Sequence, residues 1–503
     1  MATLHLPDDP HLDQLRKQAR EFQRAVRAGD ADALDVIAEH HPVGVPASEA
    51  RSRFTLAAAQ LVVARRYGFA SWPRLKRHLE IVAELSWRPE PAHADASPQD
   101  RFVRLACLTY DDDNPAKWGA ARQILAEHPR LAESDLFVAV TTADVAAVRR
   151  LLAADPSSAR RVGGANGWAP IFYLAYARHD PGIEEQAVLA TARLLLDHGA
   201  NPNTGYLWHG LPSPFTLLTG CFGEGELGPV NQPEHPHGFA LARLLLQAGA
   251  DPNDSQGLYN RMFRAGTAHL ELLFEFGLGT GDGGPWQARL GSQLQTPTEM
   301  VRGQLAWAVS HNMLDRVELF ASHGVDMRSP LAEGGSTRGR TPIELAAMNG
   351  QQAIVDHLVS IGVSNQTLSP ADAFIAAALI DDRPTVERMI ALDPDVVRRA
   401  RTTHPSAVLR AAVRGDSDAV VLLCSLGFDV NAFGRRDVDI EQPWETALHH
   451  AAAEGDVELV RLLLSLGARS DLRDTRFNST PLGWAEHAGH DAVVDELRPL
   501  TPD

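Results

Sequence analysis

The stretch Thr446-Ala447-Leu448-His449-His450-Ala451-Ala452-Ala453-Glu454-Gly455-Asp456 runs directly into Val457-Glu458-Leu459-Val460-Arg461-Leu462-Leu463-Leu464-Ser465-Leu466-Gly467-Ala468. Each part has a physical reading. Thr446 is an N-cap that accepts orphan amide hydrogens at a helix start. The paired alanines let two short helices approach closely, and Gly455 permits the tight turn between them. The Val-Leu-Leu face of the second helix turns inward. Gly467 then ends that helix in a left-handed conformation.

The pattern recurs. The next unit begins Thr480-Pro481-Leu482, 34 positions after Thr446, and an earlier one begins Thr341-Pro342-Ile343 and ends at Ile361-Gly362. Pro at the first helical position loses no hydrogen bond there. Weaker units start at Asp372 and Ser406, and degenerate ones run from Gly303 to Gly324 and from Gly257 to Gly277. His198-Gly199-Ala200-Asn201-Pro202-Asn203 and Ala248-Gly249-Ala250-Asp251-Pro252-Asn253 carry a turn signature that projects from a helix stack. A second ending substitutes a Pro stop, as in Leu125–Pro129, Leu152–Pro156 and Ile390–Pro394, and again in Ile37–Pro42. No such unit buries its apolar face alone, so neighbours must stack.

This T-P-L-H-x-A-A-x-x-G-H pattern, followed by V-x-x-L-L-x-x-G-A, resembles the ankyrin repeat family. The resemblance covers residues 101–503, as about eleven units counting an echo at 22–42. It implies an all-α solenoid of stacked helix-turn-helix units with projecting turns. It also implies a concave groove suited to a protein or peptide, and for His449 a structural hydrogen-bonding role within and between units. The expected organisation is a helical N-terminal segment or cap at 1–88, a linker at 89–100 and the solenoid at 101–503, degenerate over 101–335 and clearer over 336–503. The stretch Tyr67-Gly68-Phe69-Ala70-Ser71-Trp72-Pro73 is similar to an N-terminal segment of some bacterial ankyrin-repeat proteins, and here Ser71 is read as an N-cap.

Composition narrows the function. Of 503 residues, 44% are hydrophobic, 22% charged and only 6% aromatic, which favours closely packed helices over a β-rich fold. The net charge of −17 repels phosphate backbones, so general nucleic-acid binding is disfavoured. Within that acidic chain, residues 51–79 hold Arg51, Arg53, Arg65, Arg66, Arg74, Lys76 and Arg77 with no Asp or Glu, a patch that an acidic partner or nucleic acid would meet. Three separated cysteines form no C-x-x-C pair. The polar start and the short apolar runs lead to an expectation of a cytoplasmic chain, without membrane association and monomeric.

Long insertions interrupt the array. The largest, residues 223–238, reads Gly-Glu-Gly-Glu-Leu-Gly-Pro-Val-Asn-Gln-Pro-Glu-His-Pro-His-Gly and falls between two helices of a unit counted from Ser213. Others lie at 277–300, 328–340 and 432–445. Inserted loops carry binding residues more often than scaffold does. His235 and His237 match no standard zinc spacing. There is no P-loop, G-x-S-x-G or H-E-x-x-H. The expectation is therefore a non-enzymatic scaffold or adaptor without cofactor, binding a protein or peptide through the groove and finger loops. A small-ligand or metal-dependent activity on 223–238 and nucleic-acid or acidic-partner binding at 51–79 stand as alternatives. The candidate contact residues are Tyr206, Trp208, His209, Glu224, Glu226, His235, His237, Trp286 and Trp444, aromatics on loops being candidate anchors in a chain with few of them. For Trp286 and Trp444 the favoured reading is that they fold back over apolar helix ends, and Trp168, Trp307 and Trp484 read as core within helix patterns.

Overall fold

The computed structural model describes residues 6, 11–41, 53–90, 96–332, 337, 339–364, 368–434 and 443–501. The chain divides into two compact units, Met1–Val301 and Arg302–Asp503, and the helix Pro297–Ser310 runs across the boundary.

In the second unit the repeat chemistry is explicit. Helices Ala447–Glu454 and Val457–Ser465 form one pair, and Pro481–Ala488 and Asp491–Leu497 the next. His449 Nδ1 accepts from the Thr446 main-chain N–H at 3.3 Å. Its Nε2, which then carries the proton, donates to the Ser479 carbonyl at 3.1 Å and so ties one unit to the next. Gly455 has φ 74°, and a Cβ there would sit 2.8 Å from the His490 ring of the following unit, so both conformation and space demand glycine. Thr341 and Glu344 form a reciprocal capping box at the helix Pro342–Met348. Where an aspartate follows the inter-helix turn it caps the second helix: Asp456 accepts from Leu459 N–H at 2.9 Å and Asp416 from Ala419 N–H at 2.9 Å. Leu448, Leu459, Val460 and Leu463 belong to one apolar core with Phe374, Ile375, Leu409 and Leu423 of preceding repeats.

The first unit opens with helices Leu12–Ala28, Ala31–His40, Leu56–Arg66 and Trp72–Leu85. Thr55 caps the third, accepting from Ala58 N–H at 3.1 Å, whereas Ser71 occupies the N-cap position of the fourth without a side-chain cap bond. Helix pairs follow from Pro98, among them Pro170–Tyr176 with Glu185–Asp197, Leu217–Phe222 with Gly238–Gln247, and Ser255–Met262 with Ala268–Glu275.

The described residues also form one small sheet, a local departure from the all-helical expectation. Strand β1 (Ser86–Trp87) pairs parallel with β2 (Gly205–Trp208), which pairs antiparallel with β3 (Pro214–Thr216). The finger at 204–213 is thus a β-hairpin whose free edge is filled by the end of the N-terminal segment. Gly205 is required there, because a Cβ would meet the Phe215 carbonyl oxygen and the Trp286 ring at 2.6 Å each. The helix after this hairpin is capped by Thr216, not by Ser213, since Pro214–Thr216 is still extended.

Candidate functional site

Several candidate contact residues are buried, Tyr206 against expectation and Trp286 and Trp444 in keeping with the fold-back reading. Tyr206 is 5% exposed, stacked on Phe215 at 5.5 Å and on Trp168 at 5.6 Å, with Trp87 at 4.7 Å. It is a keystone of the hairpin rather than a surface anchor, because β2 turns it inward. Trp286 lies in a short helix, Gly284–Leu290, and is buried beneath Gly205 with Arg289 over its ring. Trp444 is buried against Trp484 and Phe477. Trp168 is core as expected, but in a hairpin turn closed by a Gly163–Trp168 bridge. Trp208 is half-buried, its indole N–H donating to the Thr109 carbonyl at 3.2 Å. His209 stays exposed with φ 51°, its main-chain N–H donating to the Trp87 carbonyl at 2.9 Å.

The 223–238 insertion is sewn to the scaffold. Buried Arg178 donates to the carbonyls of Pro233 at 2.7 Å, Gly220 at 2.5 Å and Ala177 at 2.8 Å. Glu224 is buried, not offered to a partner, and holds Arg261 at 2.7 Å and Arg264 at 2.6 Å. His235 is buried as well, with Nδ1 accepting from His237 N–H at 3.1 Å. Burial, reinforced by the neighbouring Arg178 charge, pushes its pKa well below the ordinary histidine value. His237 is half-buried, with Nε2 2.6 Å from the Ile183 carbonyl. Burial also pushes the pKa of His179 down to about 4. Among the described residues no group of three or more His, Cys, Asp or Glu side chains is placed to hold a metal ion, and no helix is long and apolar enough to cross a membrane.

Pinning the base of the insertion leaves its crest outside. Leu227 is 51% exposed, Val230 67%, Tyr259 40% and Phe263 39%. The first two belong to the crest, which turns through the short helix Gly228–Asn231. The latter two are a residue of the second turn of the helix Ser255–Met262 and its C-cap, spaced i, i+4 so that both fall on one helical face. Their rings pack edge to face at 5.2 Å. The two rows are joined: Tyr259 Oη donates to Glu226 Oε1 at 2.5 Å. Glu226 is thus the sequence candidate that remains exposed on this surface.

Asp254 fixes the helix that presents Tyr259 and Phe263. It caps that helix, accepting from Gly257 N–H at 3.2 Å, and takes the hydroxyls of Thr216 and Thr219 at 2.9 Å each. Burial raises its carboxyl pKa to about 6. The loop after the helix Pro98–Ala106 braces the other side. Asp113 accepts from Thr109 and Tyr110 main-chain N–H groups and from Lys117 Nζ at 2.7 Å. This sets the Tyr110 hydroxyl to accept from Asn260 Nδ2 at 3.0 Å.

Leu227, Val230, Tyr259 and Phe263 were not among the sequence candidates. The insertion's own apolar residues and an aromatic pair at i, i+4 were the available signal. A lone amphipathic pattern does not say which of its faces a neighbouring repeat covers.

Of the residues in the basic stretch, Arg51 lies outside the described residues. Arg74, Lys76 and Arg77 are exposed on one helix, with Lys76 paired to Glu80 at 3.4 Å, and Arg65 is spent on the His40 carbonyl. Parts of the 328–340 and 432–445 loops also lie outside the described residues.

The pattern of the family described as ankyrin repeats (3 copies) matches residues 373–474 and 409–501. Cyclin-dependent kinase inhibitor 2A of Monodelphis domestica is 33% identical over 119 residues, covering 18% of this chain and 69% of that protein. With the stacked, capped helix pairs, this places the chain in the ankyrin repeat family.

Proposed function

We propose that this protein acts by binding another protein, not by catalysis, and that a principal contact surface is the crest formed by Leu227 and Val230 with Tyr259 and Phe263. The observation that carries this reading is the set of large apolar side chains left exposed on an insertion whose base is buried and hydrogen-bonded, and on the helix Ser255–Met262 bonded to it through Tyr259 and Glu226. A loop held by Arg178 and Glu224, and a helix capped by Asp254, present those side chains with little ordering cost on association. Aromatic side chains at a rigid, water-excluding centre supply much of the binding energy at protein interfaces. The matched relative is named as an inhibitor of a kinase, which accords with action on another protein.

The test is affinity capture from host lysate with wild type, with Tyr259→Ser/Phe263→Ser, and with Trp208→Ala. A protein retained by wild type and by the Trp208 variant, but lost with the double variant of unchanged melting temperature, supports the crest. Equal retention by all three contradicts it.

A further inference from the structure

The chemistry of this crest also selects its partner, on the reading that the crest is a docking surface. We infer that it receives a short amphipathic helix of another protein, with Leu- or Ile-like residues on one face and basic residues flanking them.

The helical form follows from what the crest offers. It is built from the insertion, with its short helix Gly228–Asn231, joined through Glu226 to the helix Ser255–Met262, and the three strands among the described residues form the sheet of the finger hairpin and Ser86–Trp87. The crest therefore has no open sheet edge against which an extended peptide could form a ladder. A bound segment must satisfy its own main-chain groups, which a helix does. Tyr259 and Phe263 are about 6 Å apart along their helix axis, the rise over four residues. A partner helix with apolar side chains at i, i+3 and i+4 meshes with that spacing.

The charge follows from which ions are already paired. Arg261 is neutralised by Glu224 and Glu234, and Arg264 by Glu224. Glu226 has no cationic partner among the described residues; its carboxylate is held by the Tyr259 hydroxyl. Asp111, beside the Tyr110 that Asn260 contacts, is exposed and likewise has no cationic partner among the described residues. The rim thus presents acid at Glu226 and Asp111 while its arginines are spent. A second copy of a chain carrying −17 would bring the same acidic rim against this one, so self-association is disfavoured.

The test uses the full chain and three fluorescently labelled helical peptides of about 18 residues. One has an apolar face flanked by Lys, one has the same face flanked by Glu, and one has the Lys composition with the apolar face scrambled. The proposal expects the first to bind at least about tenfold more tightly than either of the others. It expects Phe263→Ser or Leu227→Ser, each melting as wild type, to abolish that difference, and Glu226→Lys to shift preference toward the Glu-flanked peptide. Equal binding of the first and scrambled peptides would show nonspecific charge attraction and overturn it. Preference for the Glu-flanked peptide, lost with Phe263→Ser, would overturn the basic partner but keep the docking surface. Binding unaffected by Phe263→Ser and Leu227→Ser would remove the docking surface itself. Failure of all three peptides, with concentration-dependent dimerisation lost in Phe263→Ser, would assign the crest to a second copy and overturn the proposal.

Discussion

The indole N–H of Trp87 donates to the main-chain carbonyl of Asn166 at 2.7 Å. The bond joins the last strand of the N-terminal segment to a hairpin turn 79 residues later, and the Trp87 ring continues into Trp168 at 4.9 Å and Tyr206 at 4.7 Å. Trp87→Ala should therefore cost the first unit ~3 kcal/mol. Trp87→Phe, which keeps an aromatic ring but loses the donor, should cost ~1–2 kcal/mol. Urea unfolding followed by near-ultraviolet circular dichroism measures both. Equal stability of wild type and Trp87→Ala would mean the segment is not held by this contact.

His179 gives the first unit an acid sensitivity of known sign. Its folded pKa of about 4 lies below the ordinary histidine value of 6.5. Between those values the unfolded chain binds the proton and the folded chain does not. The contribution is fully present above 6.5 and is lost as pH falls toward 4. Asp254 runs the other way: with a folded pKa of about 6, its contribution is present below about 4 and is lost as pH rises through 6. Comparison within one pair of proteins isolates the histidine. His179→Phe, which can retain the edge contact with Phe102, should stay within ~1–2 kcal/mol of wild type at pH 7. It should gain on wild type steadily between pH 6.5 and pH 4. Thermal melts across that range supply the readout, and parallel curves would remove His179 as the source.

Arg178 is expected to be irreplaceable by lysine. Its guanidinium spreads donors over carbonyls of Gly220, Ala177 and Pro233, a fork that one ammonium cannot reproduce. Arg178→Lys should destabilise the first unit by ~2–4 kcal/mol. It should also expose 225–236 to limited proteolysis at enzyme concentrations where wild type is uncut. Unchanged cleavage would show that the insertion holds its shape without Arg178.

In the second unit His449 spans two repeats, bonding to Thr446 and to the Ser479 carbonyl. His449→Ala leaves both groups without this partner and should lower that unit's stability by ~2–3 kcal/mol. Denaturation of the full chain would show an earlier transition for Arg302–Asp503, and a coincident transition would contradict the role.

The repeat was legible because its signals are local. Thr446, Gly455 and Gly467 each perform their work within a few residues of where they stand, and so does Asp456, whose cap was present in the letters but unread. The surface was harder to read because exposure is a long-range property. Tyr206 has the same composition signal as any loop aromatic, and its burial depends on partners distant in sequence, Trp87 and Trp168 among them, together with Phe215 on the same hairpin. Glu224 and His235 looked like loop polar groups, yet Arg178, just past the helix Pro170–Tyr176, and Arg261, from the helix Ser255–Met262, fold them in. Tyr259 and Phe263 fall within the degenerate unit Gly257–Gly277, whose pattern does not show that their face lies beside an insertion and stays outside.

The most direct measurement is hydrogen–deuterium exchange of the full chain, alone and with a saturating amount of the protein captured by it. The account predicts slowed exchange at 223–231 and 255–266, with the 204–213 hairpin unchanged because its edge is already paired to Ser86–Trp87. Slowing confined to that hairpin or to repeats after residue 302, with 223–231 and 255–266 unaltered, would contradict it.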